Sequence, residues 1–65
     1  MTKTVKHGDL GPGDTIWYRN ARATIISIIE GADRMLEVIL WDWALGRLTR
    51  TWLWVERMTV IFNDS

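Results

Sequence analysis

Two tryptophan pairs, Trp41-Asp42-Trp43 and Trp52-Leu53-Trp54, stand on either side of Gly46. In a strand, residues i and i+2 project to one face, so each pair presents two indoles together. The flanking stretches are rich in β-branched and aromatic residues, and Leu45-Gly46 interrupts them, which predicts a hairpin. Its loop length decides where the indoles go. With Leu45-Gly46 as a two-residue connection, Trp43 falls opposite Leu48, Trp41 opposite Arg50 and Ile39 opposite Trp52, and all four indoles share a face. A three-residue loop sends the pairs to opposite faces and sets Asp42 against Arg50 as a cross-strand ion pair.

The rest of the chain is punctuated in the same way. Residues 1–9 read as a polar lead-in. Gly11-Pro12-Gly13-Asp14 then has type II turn chemistry, with proline fixing the first φ and glycine taking the positive one. Thr15 to Arg19 reads as a short strand, and Asn20-Ala21 as a tight connection. Ala23 to Glu30 carries four isoleucines, which favour a pleated surface. Gly31 to Arg34 forms a loop, Met35 to Trp43 and Leu48 to Val55 make the hairpin, and Met58 to Phe62 is the last strand. Asn63-Asp64-Ser65 is a polar tail. Five short strands with turn signals roughly every 8–12 residues predict an all-β fold, a small sandwich or barrel over 10–62.

A helix over Arg34 to Leu45, capped by Asp33 and ended by Gly46, competes with this reading. Only Glu37 and Asp42 interrupt its apolar surface, so it would need burial on every side. A chain of 65 residues has no such interior to offer. The strand reading is preferred.

At this length one domain is expected, and its core alone gives marginal stability. The usual supplements are disulfides, a metal site or oligomerisation. The chain has no cysteine, which removes the first and every thiolate metal ligand. Its formal charge of zero argues against tight binding to duplex DNA or an anionic membrane. The most apolar stretch, Met35 to Leu45, holds two carboxylates and is about half the ~20 residues of a bilayer span. No signal segment is recognisable, so a cytoplasmic, soluble protein is expected.

Catalysis finds little footing. His7, the single histidine, lies in the lead-in, where solvation is the expected state. Ser27 has no nameable base, and Glu30, Glu37, Asp42 and Glu56 are scattered as strand-face charges. No catalytic residue, cofactor or metal ligand set is predicted.

The surplus of indoles is the functional signal. Ile16, Ile25, Ile29, Leu36, Val38, Leu40, Val60 and Phe62 already compete for a small interior. Four indoles of ~150–250 Å² each also exceed the apolar patch a monomer ordinarily exposes. The expectation is a non-enzymatic interaction module. It would bind a protein, either further copies of itself as a homo-oligomer or a host or cognate protein, through Trp41, Trp43, Trp52 and Trp54 with Arg47 and Arg50. The alternative is a single-stranded nucleic acid stacked on the same indoles between the arginines, at a cost of weak charge attraction.

The order of pieces resembles an SH3-like small β-barrel of the KOW or Tudor-like kind. Gly13-Asp14-Thr15-Ile16 would open its first strand, Ala23-Thr24-Ile25-Ile26 its second, and Val55-Glu56-Arg57-Met58-Thr59-Val60-Ile61 its closing segment. The resemblance implies a five-stranded barrel with a short 3-10 turn at Val55-Glu56-Arg57 before the last strand. The paired Trp-x-Trp pattern is not part of that family. Type II dihydrofolate reductase, a tetramer of such barrels, is a catalytic precedent, and its pore residues have no match here. Gly8 to Asp14 also looks like the start of small bacterial and phage proteins, which implies no activity.

Overall fold

β-branched and aromatic residues recur in short runs from Thr15 to Phe62, and in the computed structural model, which describes residues 2–62, the segments that carry them build one antiparallel sheet. The strands are β1 (Thr2–Lys6), β2 (Thr15–Tyr18), β3 (Ala21–Glu30), β4 (Met35–Asp42), β5 (Arg47–Trp54) and β6 (Met58–Phe62). Their order across the sheet is β1-β6-β2-β3-β4-β5. The all-β expectation holds, and Arg34 to Leu45 is strand and turn, not helix.

The strand count differs from the expected five. Thr2–Lys6 mixes threonine and a single valine with two lysines and pairs with β6 from Thr2↔Phe62 to Lys6↔Met58. An edge strand of this kind buries little, so it lacks the apolar run that marks β3 to β5. The sheet is open, since no ladder joins β1 to β5 among the described residues. The 3-10 turn found among the described residues also lies elsewhere, at His7–Asp9. Before β6 the chain makes only a hydrogen-bonded reversal, Arg57 N–H donating to Trp54 O at 3.2 Å. The polar tail lies outside the described residues.

One face of the sheet is its core. Ile16 on β2, Ala23 and Ile25 on β3, Leu36, Val38 and Leu40 on β4 and Leu53 on β5 are buried, with Leu10, Tyr18, Ile28 and Val55 around them. Strand alternation dictates this set. A bulge at Ile26, between Ile25↔Leu40 and Ser27↔Ile39, adds one residue to β3, so Ile28 as well as Ile25 points inward. Ile26 and Ile29 are left exposed.

Apart from Leu10 and Val55 in the connecting segments, the described residues that enclose this core belong to the sheet itself. Tyr18 on β2 donates its hydroxyl to Thr51 Oγ1 on β5 at 2.8 Å, although β3 and β4 lie between. Three strand spacings make about 14 Å in a flat sheet. The sheet must therefore coil, with the buried residues on its concave side. His7 closes one end, donating its backbone N–H to Arg57 O at 2.7 Å and its Nδ1–H to Trp54 O at 2.8 Å. His7 is thus buried at 8% exposure, against the expectation of a solvated side chain.

The turns follow the backbone chemistry of their residues. β2 and β3 are joined by Arg19-Asn20, both at positive φ (50° and 63°), the geometry of a type I′ turn. That places the tight connection one residue earlier than Asn20-Ala21. Asp33-Arg34 repeats the geometry, at 57° and 61°, before β4.

Candidate interaction surface

The β4–β5 ladder runs from Met35↔Trp54 to Asp42↔Arg47, so residues 43–46 form the loop. This is two residues longer than a Leu45-Gly46 connection, and the even difference preserves which residues share a face. Trp41 lies opposite Leu48, Ile39 opposite Arg50 and Glu37 opposite Trp52. Side-chain alternation then puts Trp41, Trp52 and Trp54 on the convex face. Trp43, just beyond β4, continues the pairing with β3 by donating its N–H to Arg22 O at 3.1 Å. Its indole Nε1–H donates to Thr24 Oγ1 at 2.9 Å, on the same face as Trp41. All four indoles share one side.

None of them belongs to the core. Trp41 is 41% exposed, Trp43 55%, Trp52 50% and Trp54 52%. Their inner edges rest on the sheet and their outer faces meet solvent. Trp52 lies over Gly31, where an added Cβ would come within 3.3 Å of the indole.

Asp42 shapes the loop that carries this arrangement. Its side chain points to the concave side, is nearly buried, and Oδ1 accepts from Ala44 N at 2.9 Å and Leu45 N at 3.0 Å. The carboxylate is a turn-former, and it faces Arg47 across the ladder, not Arg50.

The two arginines separate. Arg50 stands among the indoles, its guanidinium 2.8 Å from Glu37 Oε2 and 5.9 Å from the Trp52 ring. Arg47 alternates to the other face with Asp42. The first is held by a neutralising partner, and the second is away from the aromatic surface.

The convex face is larger than the hairpin alone. Trp17, 47% exposed, lies opposite Arg22, and its ring centroid is 6.1 Å from Phe62. Arg22 stacks on Phe62 with 4.4 Å between guanidinium and ring. Since Arg22 also borders Trp43, an apolar band runs from β6 to β5, with exposed Val60, Met58, Leu48 and Ile29 along it. Trp17 was legible in principle. Ile16 and Tyr18 flank it, and if they are inward then Trp17 must point out. Ile29, Val60 and Phe62, expected inside, face outward: the bulge turns Ile29, and on β6 Ile61, opposite buried Ile16, takes the inward side, so that its neighbours Val60 and Phe62 point out.

No group of three or more His, Asp or Glu side chains poised for a metal occurs among the described residues. Among the described residues no helix is long and apolar enough to cross a membrane. No family model, curated protein or solved structure matches the chain.

Proposed function

We propose that this chain is a non-enzymatic protein-interaction module whose convex aromatic face docks on protein. One observation carries the reading: five tryptophans lie half-exposed on one side of a sheet whose other side is already filled. Each indole leaves on the order of 100 Å² in water, and together they reach the largest apolar patch of an ordinary monomer. The molecule measures 30 × 25 × 19 Å, so its broad side matches the ~800 Å² per partner of a standard interface. Trp and Arg are also the residues most enriched at interface centres, and Arg50 stands among the indoles.

An SH3-like barrel remains the fold reading we favour. The strong coil of β2 to β5 and the bonds from His7 to the β5–β6 turn support it. The nucleic-acid reading is weaker, because Arg50 is paired with Glu37, Arg22 is stacked on Phe62, and Arg47 is on the opposite face.

The test is collisional quenching of tryptophan by acrylamide in dilute protein. All five indoles should be accessible, and they should become protected when a protein partner is added. Indoles shielded in a dilute monomer would overturn the reading. A single-stranded oligonucleotide at low salt should leave the emission unchanged, and strong quenching would favour nucleic acid instead.

A further inference from the structure

The two edges of the open sheet are unlike. β1 carries Lys3 and Lys6, which discourage a further strand. β5 is eight residues long, with neither lysine nor proline.

The direction of its free backbone groups follows from one bond. Val55 N–H donates to Arg34 O at 2.9 Å, and this fixes the phase of the β4–β5 ladder. Bonded residues alternate along an antiparallel pair, so Leu53, Thr51, Thr49 and Arg47 face β4. Leu48, Arg50, Trp52 and Trp54 turn their N–H and C=O groups outward. The Trp54 carbonyl is taken by His7 and Arg57. Leu48, Arg50 and Trp52 receive no backbone bond from another element among the described residues.

We propose that this edge pairs with β5 of a second copy, antiparallel about a twofold axis at Thr51, joining two sheets into one. The inference rests on the interaction reading above and names its partner. Stacking the aromatic faces of two copies is the obvious alternative, but two convex surfaces touch only along a strip. Edge pairing meets no such obstacle, and it satisfies polar groups that stacking would leave bare.

Side chains choose the register. Outward-bonding residues must meet outward-bonding residues, so the axis falls at Thr49, Arg50 or Thr51. An axis at Arg50 sets two guanidinium groups opposite each other, which is repulsive. An axis at Thr49 brings only Leu48 against Arg50 of the second copy. With the axis at Thr51, Arg50 faces Trp52 of the second copy twice over, and the new ladder ends short of Trp54, whose carbonyl His7 and Arg57 already hold. Arg50 already lies against an indole within its own chain, and a second ring on its free side extends that cation–π contact. The aromatic faces of the two copies then lie side by side, enlarging the surface available to a further protein.

The test is a backbone substitution in the full-length chain, short enough to make by chemical synthesis. N-methylation of Trp52 removes a donor that the fold does not use and leaves every side chain intact. N-methylation of Arg50 is the second variant, and N-methylation of Thr4 on β1 is the control. Far-UV circular dichroism establishes that each has folded. Sedimentation should show a dimer for the unmodified and Thr4-methylated chains. Dimerisation of the Trp52- and Arg50-methylated chains should be weaker by about tenfold or more. Undiminished dimers of both variants would overturn the edge pairing while leaving the interaction reading intact. An unmodified chain that stays monomeric at millimolar concentration would overturn it too, with indoles accessible to acrylamide still supporting a foreign partner.

Discussion

Trp43 donates its indole N–H to the hydroxyl oxygen of Thr24 at 2.9 Å, and that hydroxyl lies 2.8 Å from Thr15 Oγ1. Because Trp43 uses one lone pair of Thr24, the Thr24 proton is free to point at Thr15. The chain of bonds links the loop after β4 to β3 and β2 on the convex face. It orients an indole that would otherwise be free to rotate in solvent. Trp43→Phe should cost about 0.5–1.5 kcal/mol in urea unfolding, the net value of one hydrogen bond. Thr24→Val should cost a similar amount, and the two together less than their sum, because they share the bond. Full additivity would show that the bond contributes nothing.

The nearly buried carboxylate of Asp42 accepts two backbone N–H groups, from Ala44 and Leu45, and so holds the loop that sets the Trp register. Asp42→Ala leaves both donors without their partner and should destabilise by about 1–3 kcal/mol. Asp42→Asn keeps an acceptor oxygen at the same position and should retain most of the stability. Equal losses in thermal unfolding of the two variants would mean that the charge, and not acceptance of the two bonds, is what the loop requires.

Much of this was legible in the sequence, and the limits have physical causes. β3, β4 and β5 announce themselves by Ile, Val, Leu and Trp at a period of two, and the shared face within each Trp-x-Trp pair follows from alternation alone, whereas the shared face of the two pairs waits on the loop length. Loop length was not legible, because the side chain that sets it, Asp42, reads equally well as an exposed strand residue. β1 was invisible, since a strand that pairs on one side and buries little needs no apolar stripe. His7 was misread for the same reason. Its burial depends on the β5–β6 turn, residues 47 or more positions away, and no local pattern reports such a contact. The bulge at Ile26 reversed the expected side of Ile29, and a run of isoleucines gives no sign of where an extra residue is inserted.

The N-terminal segment is held to the turn between β5 and β6 by a close backbone approach. Gly8 N–H donates to Val55 O at 3.0 Å, and a Cβ on Gly8 would sit 2.8 Å from Val55 Cγ1. Gly8→Ala should therefore push the 3-10 turn away and cost about 1–3 kcal/mol, as other overpacked sites do. Val55→Ala removes the obstructing methyl at its own cost in packing. The double variant should be more stable than the sum of the two losses predicts, by about 0.5 kcal/mol or more. Strict additivity in denaturant titrations would place the cost of Gly8→Ala in the backbone and not in this contact.

The β2–β3 turn offers the opposite kind of change, a gain. Arg19 and Asn20 both adopt positive φ, 50° and 63°, and arginine has no local reason to accept that conformation. The Arg19 guanidinium is 5.4 Å from the Tyr18 ring, a surface contact of modest worth. Type I′ turns favour Asn-Gly, because asparagine tolerates the left-handed region and glycine has no Cβ to clash. Replacing Arg19→Asn together with Asn20→Gly should relieve the strain without touching the core or the convex face. The expected gain is about 1 kcal/mol, reduced slightly by the added flexibility of glycine in the unfolded chain. In a domain of this size that raises the melting temperature by about 4–8 °C. A lowered melting temperature would mean that the Arg19–Tyr18 contact outweighs the strain, and the side chain would then count among the determinants of the hairpin.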